Sequence, residues 1–252
     1  YYGIPGYKEG LVKLEKVNAD KFTGINPYFG KDDKNVYYQG NVIKGSDPAT
    51  FQFLGGVRTL IGATGYSKDK RNVYYLGDII LNADSASFAL LDKVEGYGKD
   101  NKNVYFMGKR LDYADSASFK TIGNGYTSDK DGIYYNTEKI TDADPEDYIL
   151  EGHYLLSNGK VFYGKEKTNY DRDTFKVMEE FYDGNTCGSS YVYAMVKDKS
   201  SVYLKDEGIK GIDPETFKSA GAGLYEDKNY YYAGIERLNI VKKDYKIYKL
   251  DS

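Results

Sequence analysis

The sequence has no tryptophan, one cysteine and one histidine among its 252 residues. A single cysteine excludes an internal disulfide framework, and a single histidine argues against a histidine-rich metal site or a histidine-based relay. No apolar run approaches the roughly 20 residues with which a helix crosses a bilayer, so a membrane-embedded chain is excluded. Lys and Arg number 35 against 38 Asp and Glu, which excludes a long cationic nucleic-acid binder.

Tyrosine is the abundant residue. The chain contains 29 tyrosines, and they belong to the 40% of residues that are hydrophobic. The core must therefore be built largely from tyrosine rings. Each ring carries a hydroxyl that requires water or a hydrogen-bond partner at one end.

Two short motifs alternate along the chain at nearly fixed spacing. The first is a turn rich in Asp, Lys and Asn followed by Val-Tyr-Tyr, and it occupies residues 31–38, 68–75, 99–106, 128–135, 197–204 and 226–232, with a degenerate copy at 158–163. The second has the form Asp-Pro-x-Thr-Phe and begins 10 or 11 residues after the Val or Ile of the first, at Asp47, Asp84, Asp115, Asp144, Asp171 and Asp213. The period is 28 to 31 residues with two insertions, which indicates a tandem repeat.

Each motif predicts a local structure. Asp and Asn favour tight turns and Val-Tyr-Tyr favours a strand, so the first motif predicts a β-hairpin. In the second motif Asp47 is a helix-capping residue type and Pro48 suits the first helical position, which predicts one short capped turn. Phe51 follows as a buried anchor. Because one unit cannot bury its own apolar side, neighbouring units are expected to stack.

We predict an all-β fold of tandem β-hairpin repeats of about 29 residues, with one short capped turn per repeat, in an open array. A closed propeller-like ring is the alternative, but this period is short for a four-stranded propeller blade. Residues 1–252 are predicted to form a single repeat domain of about seven units. It begins with a half-unit at 1–27 and ends with a half-unit and a capping strand at 224–252.

Two features predict a binding surface. Val-Tyr-Tyr places adjacent rings on opposite faces of a strand, so the outer aromatic of each pair is expected to form a ladder. The two insertions, at 55–65 and 181–190, are expected to be recognition loops, because extra length in repeats goes to the surface. The candidate binding residues are Tyr38, Tyr75, Phe106 and Tyr135 in the ladder, and Arg58 and Asn185 in the loops.

Motifs of several enzyme classes are absent: there is no phosphate-binding loop, no nucleophile elbow and no zinc-protease motif. Lysines interleave the Asp clusters, and the calcium-binding loop is missing. His153 is predicted to be a satisfied loop residue and Cys187 an inert thiol. We therefore predict no catalytic residue, no metal and no cofactor, although a glycosidase-like carboxylate pair stays open among the acidic residues.

The combination of motifs resembles the DKNYY repeat family of bacterial proteins. The residues that carry the resemblance are 33–38 with 47–51, 69–70 with 73–75, and 227–231. The resemblance extends over residues 17–240, and the unit around Val161 departs from it most. It implies a bacterial origin and a secreted or cell-envelope location, with a lipid anchor upstream of Tyr1 as one means of attachment. It brings no catalytic or ligand-binding residues.

These observations predict a non-enzymatic binding or structural repeat protein of the bacterial cell envelope. Its Tyr-rich face and inserted loops would contact a protein or a glycan, since tyrosine offers a rigid amphipathic surface at low entropic cost. Two alternatives stay open: a glycan-processing enzyme with a carboxylate pair, and a toxin-neutralising partner protein.

Overall fold

The computed structural model describes residues 17–55, 65–91, 96–183 and 190–241, together with the short strand pairs 2–3 with 11–12 and 58–59 with 62–63. Over these residues the regular structure is β, apart from one 3-10 turn at Ala19–Lys21. The all-β prediction is confirmed.

The strands form seven four-stranded antiparallel sheets, which follow one another along the described chain. In each sheet the strands pair in chain order, so every sheet is a meander. The predicted hairpin is confirmed as the central pair of strands, and an outer strand is added on each side. Four strands fit within one period because most of them are only two to four residues long.

Contacts divide the chain into two compact units, Tyr1–Lys139 and Ile140–Ser252. The first unit contains sheets one to four, preceded by the pair β1 (Tyr2–Gly3) and β2 (Leu11–Val12). The first sheet consists of β3 (Thr23–Gly24), β4 (Phe29–Lys31), β5 (Val36–Tyr38) and β6 (Asn41–Val42), and the second of β7 (Gln52–Gly55), β10 (Tyr66–Lys68), β11 (Val73–Tyr75) and β12 (Asp78–Ile79), with the inserted pair β8 (Arg58–Thr59) and β9 (Gly62–Ala63). The third sheet consists of β13 (Ala89–Leu90), β14 (Tyr97–Lys99), β15 (Val104–Phe106) and β16 (Lys109–Leu111). The fourth consists of β17 (Lys120–Gly123), β18 (Tyr126–Asp129), β19 (Gly132–Tyr135) and β20 (Glu138–Lys139).

The second unit contains sheets five to seven. They are β21 (Tyr148–Glu151), β22 (Tyr154–Ser157), β23 (Lys160–Tyr163) and β24 (Glu166–Lys167); β25 (Lys176–Asp183), β26 (Ser190–Lys197), β27 (Val202–Leu204) and β28 (Glu207–Gly208); and β29 (Lys218–Gly221), β30 (Leu224–Glu226), β31 (Tyr230–Ala233) and β32 (Glu236–Val241).

No strand is shared between two of these sheets, and none of the described sheets closes on itself. A tandem series of open sheets is what the open-array prediction expects. The count of seven sheets also agrees with the seven repeat units predicted from the motifs. The assignment of residues 1–252 to one domain stays a prediction.

Aromatic anchors fill the space between successive sheets. In the first sheet Val36 and Tyr37 are adjacent in sequence and point to opposite faces, yet both are almost completely buried, so both faces are covered. Phe51 follows this sheet, and its ring centroid lies 5.9 Å from that of Phe29 and 6.1 Å from that of Tyr74 in the second sheet. The predicted buried anchor therefore packs one sheet against the next.

The predicted capped turn is confirmed before the phenylalanine anchors. Asp84 accepts hydrogen bonds through its side chain from the backbone N–H of Ala86 (3.1 Å) and the hydroxyl of Ser87 (2.6 Å). Its carbonyl accepts the N–H of Phe88 at 2.9 Å, which closes one helical turn. The equivalent anchors are also buried: Phe119, Phe175 and Phe217.

The insertions have different structures. The first forms the small hairpin of β8 and β9. The second lengthens β25 and β26 to eight residues each. Residues 184–189, which include Cys187, lie outside the described residues, as do 242–252 of the predicted capping strand.

Candidate functional site

The first Asp of the hairpin turn is a buried hydrogen-bond acceptor. In the third sheet one oxygen of Asp100 accepts the backbone N–H groups of Lys102 (2.8 Å) and Asn103 (2.7 Å), which closes the turn. The other oxygen accepts the hydroxyl of Tyr105 at 2.8 Å and the backbone N–H of Asp84 at 3.0 Å. Four donors therefore satisfy a carboxylate that is only 3% exposed, and they join the hairpin turn to the capped turn that precedes the sheet.

The same four donors recur in five other sheets, although in the fourth and sixth sheets the tyrosine hydroxyl bonds to the oxygen that also accepts the turn N–H groups. The equivalent carboxylates belong to Asp32, Asp69, Asp129, Asp198 and Asp227; their tyrosine donors are Tyr37, Tyr74, Tyr134, Tyr203 and Tyr232; and their backbone donors are Asn18, Asp47, Asp115, Asp171 and Asp213. Asn18 stands where the other units have the capping Asp, and its backbone makes the same bond.

The bonds shift the pKa of the turn carboxylate in the first sheet and of the tyrosine in the third sheet. Burial alone would raise the pKa of Asp32, but the N–H groups of Asn18, Lys34 and Asn35 and the hydroxyl of Tyr37 lower it to about 2. Burial and the bond to the Asp100 carboxylate together raise the pKa of Tyr105 to about 12. At neutral pH Asp32 is therefore ionised and Tyr105 is neutral.

Lysines tie the same turns together from two sides. Lys99, which precedes Asp100, donates from its ammonium to the carbonyls of Ser116 (2.8 Å) and Phe119 (3.4 Å) in the next capped turn. On the exposed side, the ammonium of Lys70 lies 3.0 Å from the capping carboxylate of Asp47. The exposed pair adds little free energy because water screens it.

The fifth sheet replaces both partners of the buried pair. Ser157 stands at the position of the turn Asp, and Phe162 stands at the position of the tyrosine whose hydroxyl would bond to it. The hydroxyl of Ser157 accepts the backbone N–H of Asp144 at 2.8 Å, so the bond to the capped turn is kept. Because carboxylate and phenol hydroxyl are lost together, no charge is buried without its donor.

The residues that define the repeat are therefore engaged in holding the sheets together.

The predicted ladder residues are the next candidates for a binding site. Tyr38 and Tyr75 are half-buried, and their ring centroids lie 4.8 Å from that of Phe29 and 5.0 Å from that of Tyr66. Their outer side is also covered, because a glycine of the following sheet lies over each ring.

That glycine belongs to the turn between the third and fourth strands. A Cβ built on Gly77 would lie 3.1 Å from Cβ of Tyr38, and one on Gly108 would lie 2.7 Å from Cβ of Tyr75. Both glycines have positive φ, +88° and +78°, which disfavours any other residue. In the first unit these ladder rings pack between sheets more than they face solvent.

The other predicted site residues are placed as follows. Phe106 and Tyr135 are half-buried, and their ring centroids lie 4.6 Å from Tyr97 and 4.9 Å from Tyr126. Arg58 lies in β8, where only the backbone is described, and Asn185 lies outside the described residues. None of these observations assigns a ligand to the ladder, which stays a prediction.

A pocket opens at the ladder position of the fifth sheet. Tyr163 occupies this position and is 40% exposed. It borders a pocket of 380 Å³ between the fifth and sixth sheets, which has the volume of a small-ligand site. The lining residues are Tyr163, Glu166, Lys167, Thr168, Asn169, Tyr170, Tyr203 and Asp206.

Two departures from the repeat accompany this pocket. Tyr170 directly precedes the capping Asp, where three other units have the alanines Ala83, Ala114 and Ala143. Asp206 lies four residues after Val202, at the position where Gly77 and Gly108 follow Val73 and Val104, and where Thr137 and Lys165 follow Ile133 and Val161. The glycine that covers a ladder ring in the first unit is thus an aspartate here.

Two hydrogen bonds hold the tyrosines of the pocket wall, one to a residue of the lining and one to the turn carboxylate of the sixth sheet. The hydroxyl of Tyr170 donates to Asp206 at 2.6 Å, and its ring meets that of Tyr203 edge to face with centroids 4.8 Å apart. The hydroxyl of Tyr203 donates to Asp198 at 3.2 Å. Comparing aligned units of the sequence would have singled out Tyr170 and Asp206, but nothing in the sequence shows that they meet Tyr163.

A second pocket, of 480 Å³, is lined by charged residues of the sixth sheet and the adjacent capped turns. Lys197 donates there to the carbonyls of Pro214 (3.0 Å) and Phe217 (2.7 Å), and burial lowers its pKa. Asp198 is the turn carboxylate of the same sheet. Both residues repeat contacts found in other sheets, so this pocket is part of the repeat framework rather than a departure from it.

The single histidine contacts a carboxylate. Nδ1 of His153 lies 2.7 Å from Oε1 of Glu180, and the hydroxyl of Tyr182 donates to Oε2 of the same carboxylate at 2.8 Å. Burial would raise the pKa of Glu180, but the bonds from His153 and Tyr182 lower it. The prediction of a satisfied loop histidine agrees with this geometry.

Among the described residues, no three His, Cys, Asp or Glu side chains come together in a way that would hold a metal ion. The same part of the chain has no helix with the length and apolarity that a bilayer crossing requires.

No curated protein and no solved structure matches the chain. The model of the DKNYY family matches it in three overlapping segments, residues 2–76, 66–112 and 97–236. These segments cover the first six sheets and three strands of the seventh, and the signature Asp, Lys and Tyr residues are those that form the hydrogen bonds between turns and sheets. The chain therefore belongs to the DKNYY family.

Proposed function

We propose that the chain is a non-enzymatic binding protein of the bacterial cell envelope, which contacts a protein or a glycan through the tyrosine-lined pocket between its fifth and sixth sheets. The observation that carries this proposal is the pocket itself. It lies beside Tyr170 and Asp206, which differ from their equivalents in other units, and at Tyr163, which is more exposed than the ladder aromatics of the first unit. Recognition surfaces favour tyrosine, and ligand sites combine aromatic walls with a few polar groups.

The chemistry of the carboxylates supports a binding role over an enzymatic one. A glycosidase needs an acid whose pKa is raised and a second carboxylate across the scissile bond. The buried carboxylates of Asp32, Asp69, Asp100 and Asp227 instead have lowered pKa values and bond to turns. They are engaged in the framework and poorly suited to donate a proton.

Binding can be tested by saturation-transfer NMR of the purified chain against a panel of neutral oligosaccharides, charged oligosaccharides and N-acetyl amino-acid amides. We expect at least one class to bind saturably, and to lose at least about tenfold in affinity in Tyr163→Ala, since stacking on an aromatic ring is removed. Tyr113→Ala is the matched control, because Tyr113 is 38% exposed and lies outside the pocket, and this variant should bind as the parent chain does.

Two results would contradict the proposal. One is a panel in which no compound binds. The other is a ligand whose affinity falls equally in Tyr163→Ala and Tyr113→Ala, because binding would then not depend on the pocket.

A further inference from the structure

The pocket between the fifth and sixth sheets combines three tyrosine rings with an excess of negative charge. Its charged lining residues are Glu166, Asp206 and Lys167, which gives two carboxylates and one ammonium. The tyrosines Tyr163, Tyr170 and Tyr203 form the aromatic part of the wall. An aromatic wall beside carboxylates is the chemistry that attracts organic cations, because the face of each ring is electron-rich.

The hydrogen bonds of the wall strengthen this preference. The hydroxyls of Tyr170 and Tyr203 donate to the carboxylates of Asp206 (2.6 Å) and Asp198 (3.2 Å). A phenol that donates to an anion leaves more negative charge on its ring. The same bonds fix both rings in place, so little side-chain entropy is lost when a ligand binds.

The charge of Lys167 contributes to lowering the pKa of Asp142, a carboxylate outside the lining, after the larger effect of the bond between Asp142 and Lys160 at 2.7 Å. The lining itself keeps a net negative charge, because it has the carboxylates of Glu166 and Asp206 and the single ammonium of Lys167.

We propose that this pocket binds an organic cation, an alkylammonium or guanidinium group, between the tyrosine rings and the carboxylates of Glu166 and Asp206. This inference rests on the proposed binding function and names the chemical class of its ligand. The volume of 380 Å³ accommodates a group of this size together with the first atoms of the molecule that carries it.

Isothermal titration with choline and with N-acetyl-arginine amide tests the inference on the full chain, at about 0.15 M salt. We expect at least one of them to bind with a dissociation constant on the order of 1 mM. The control ligand is 3,3-dimethyl-1-butanol, which has the shape of choline without its charge. It should bind at least about tenfold more weakly than choline.

The variant Asp206→Asn removes one charge and keeps an acceptor for the hydroxyl of Tyr170. Asp206 has φ +65°, a conformation that asparagine tolerates well, so the turn should be preserved. We expect cation affinity to fall by about tenfold. Asp173→Asn, a variant of an exposed carboxylate outside this pocket, should leave it unchanged.

The outcomes separate the two proposals. If the neutral alcohol binds as tightly as choline, or if Asp206→Asn has no effect, the cation inference is wrong. If only neutral oligosaccharides bind, and do so in a Tyr163-dependent way, the binding function stands and the cation inference falls. If none of these compounds binds, both proposals are wrong.

Discussion

Tyr105 and Asp100 illustrate how a tyrosine-rich core satisfies its hydroxyls. The hydroxyl lies 2.8 Å from the carboxylate, and each residue is almost fully buried. A buried carboxylate without donors is costly, so neither partner is expected to change alone. The fifth sheet, with Ser157 and Phe162 in place of the pair, agrees with this expectation because both partners changed together.

This coupling gives a prediction for the third sheet. Tyr105→Phe should lower the free energy of unfolding by about 2 kcal/mol, because a buried carboxylate loses a donor. Asp100→Ser should cost more, since it also removes the acceptor of the turn N–H groups. The double variant, which copies the fifth sheet, should be more stable than the sum of the single changes predicts, by about 1 kcal/mol. Urea denaturation of the four proteins measures this double-mutant cycle.

Tyr182→Phe is the control for the loss of a tyrosine hydroxyl. Its hydroxyl donates to Glu180 at 2.8 Å, but the residue is 49% exposed, so water replaces the bond. The expected cost is below about 0.5 kcal/mol. Strictly additive effects of Tyr105→Phe and Asp100→Ser would contradict the coupling.

At the scale of the element, the turn between the third and fourth strands determines whether a ladder ring is covered. Gly108 at φ +78° lies over Tyr75, whereas Gly45 has the same φ and no atom within 4 Å of the place that a Cβ would occupy. Alanine at either position has the same backbone strain, and only Gly108→Ala adds a clash. Comparing alanine variants of the two glycines therefore separates the cost of backbone strain from the cost of the clash.

We expect Gly45→Ala to lower the free energy of unfolding by about 1 kcal/mol, and Gly108→Ala to lower it by about 3 kcal/mol. Thermal and urea denaturation of the two variants measure the difference. Equal costs for the two would mean that the contact between Gly108 and the Tyr75 ring does not contribute to stability.

Local signals explain which elements the sequence predicts. The turn residues and Val-Tyr-Tyr define the central hairpin, and the capping Asp with its Phe defines the turn before each sheet, because these preferences act within a few residues. The outer strands carry little signal, since β6 (Asn41–Val42) and β20 (Glu138–Lys139) are two residues long and exposed. Backbone pairing with the hairpin, rather than composition, makes them strands.

The candidate pocket could not be predicted from local sequence preferences, for a different reason. It depends on Tyr163, Tyr170 and Asp206, which lie in two different sheets and the segment between them. The sequence shows that Tyr170 and Asp206 differ from their equivalents in other units. Only the packing of the fifth sheet against the sixth shows that these differences fall in one place.

At the scale of the whole molecule, the turn carboxylates make the free energy of unfolding depend on pH. The pKa values of Asp32, Asp69, Asp100 and Asp227 are lower in the folded chain than the value of about 4 that the unfolded chain has. The folded state therefore binds fewer protons. Their contribution to stability is complete above pH 4 and is lost as the pH falls towards 2.

We expect the free energy of unfolding, measured by urea denaturation at stepped pH, to be nearly constant from pH 7 to pH 5 and to fall steeply between pH 4 and pH 2. The Asp100→Ser, Tyr105→Phe double variant has one such carboxylate fewer, so its decline should be shallower. A decline centred above pH 5, or none down to pH 2.5, would contradict this role of the carboxylates.

The regular offsets between donors and acceptors have a genetic consequence. In successive units a lysine of the sheet donates to a backbone carbonyl 17 residues further along the chain, as Lys68 does to Ser85 and Lys99 does to Ser116. A recombination event that duplicates or deletes one whole unit would leave every bond with an equivalent partner, so the number of standard units is free to vary. The fifth and sixth sheets are different, because Tyr163, Tyr170 and Asp206 form a pocket only together. Those two sheets should be inherited as a linked pair, whatever the length of the array around them.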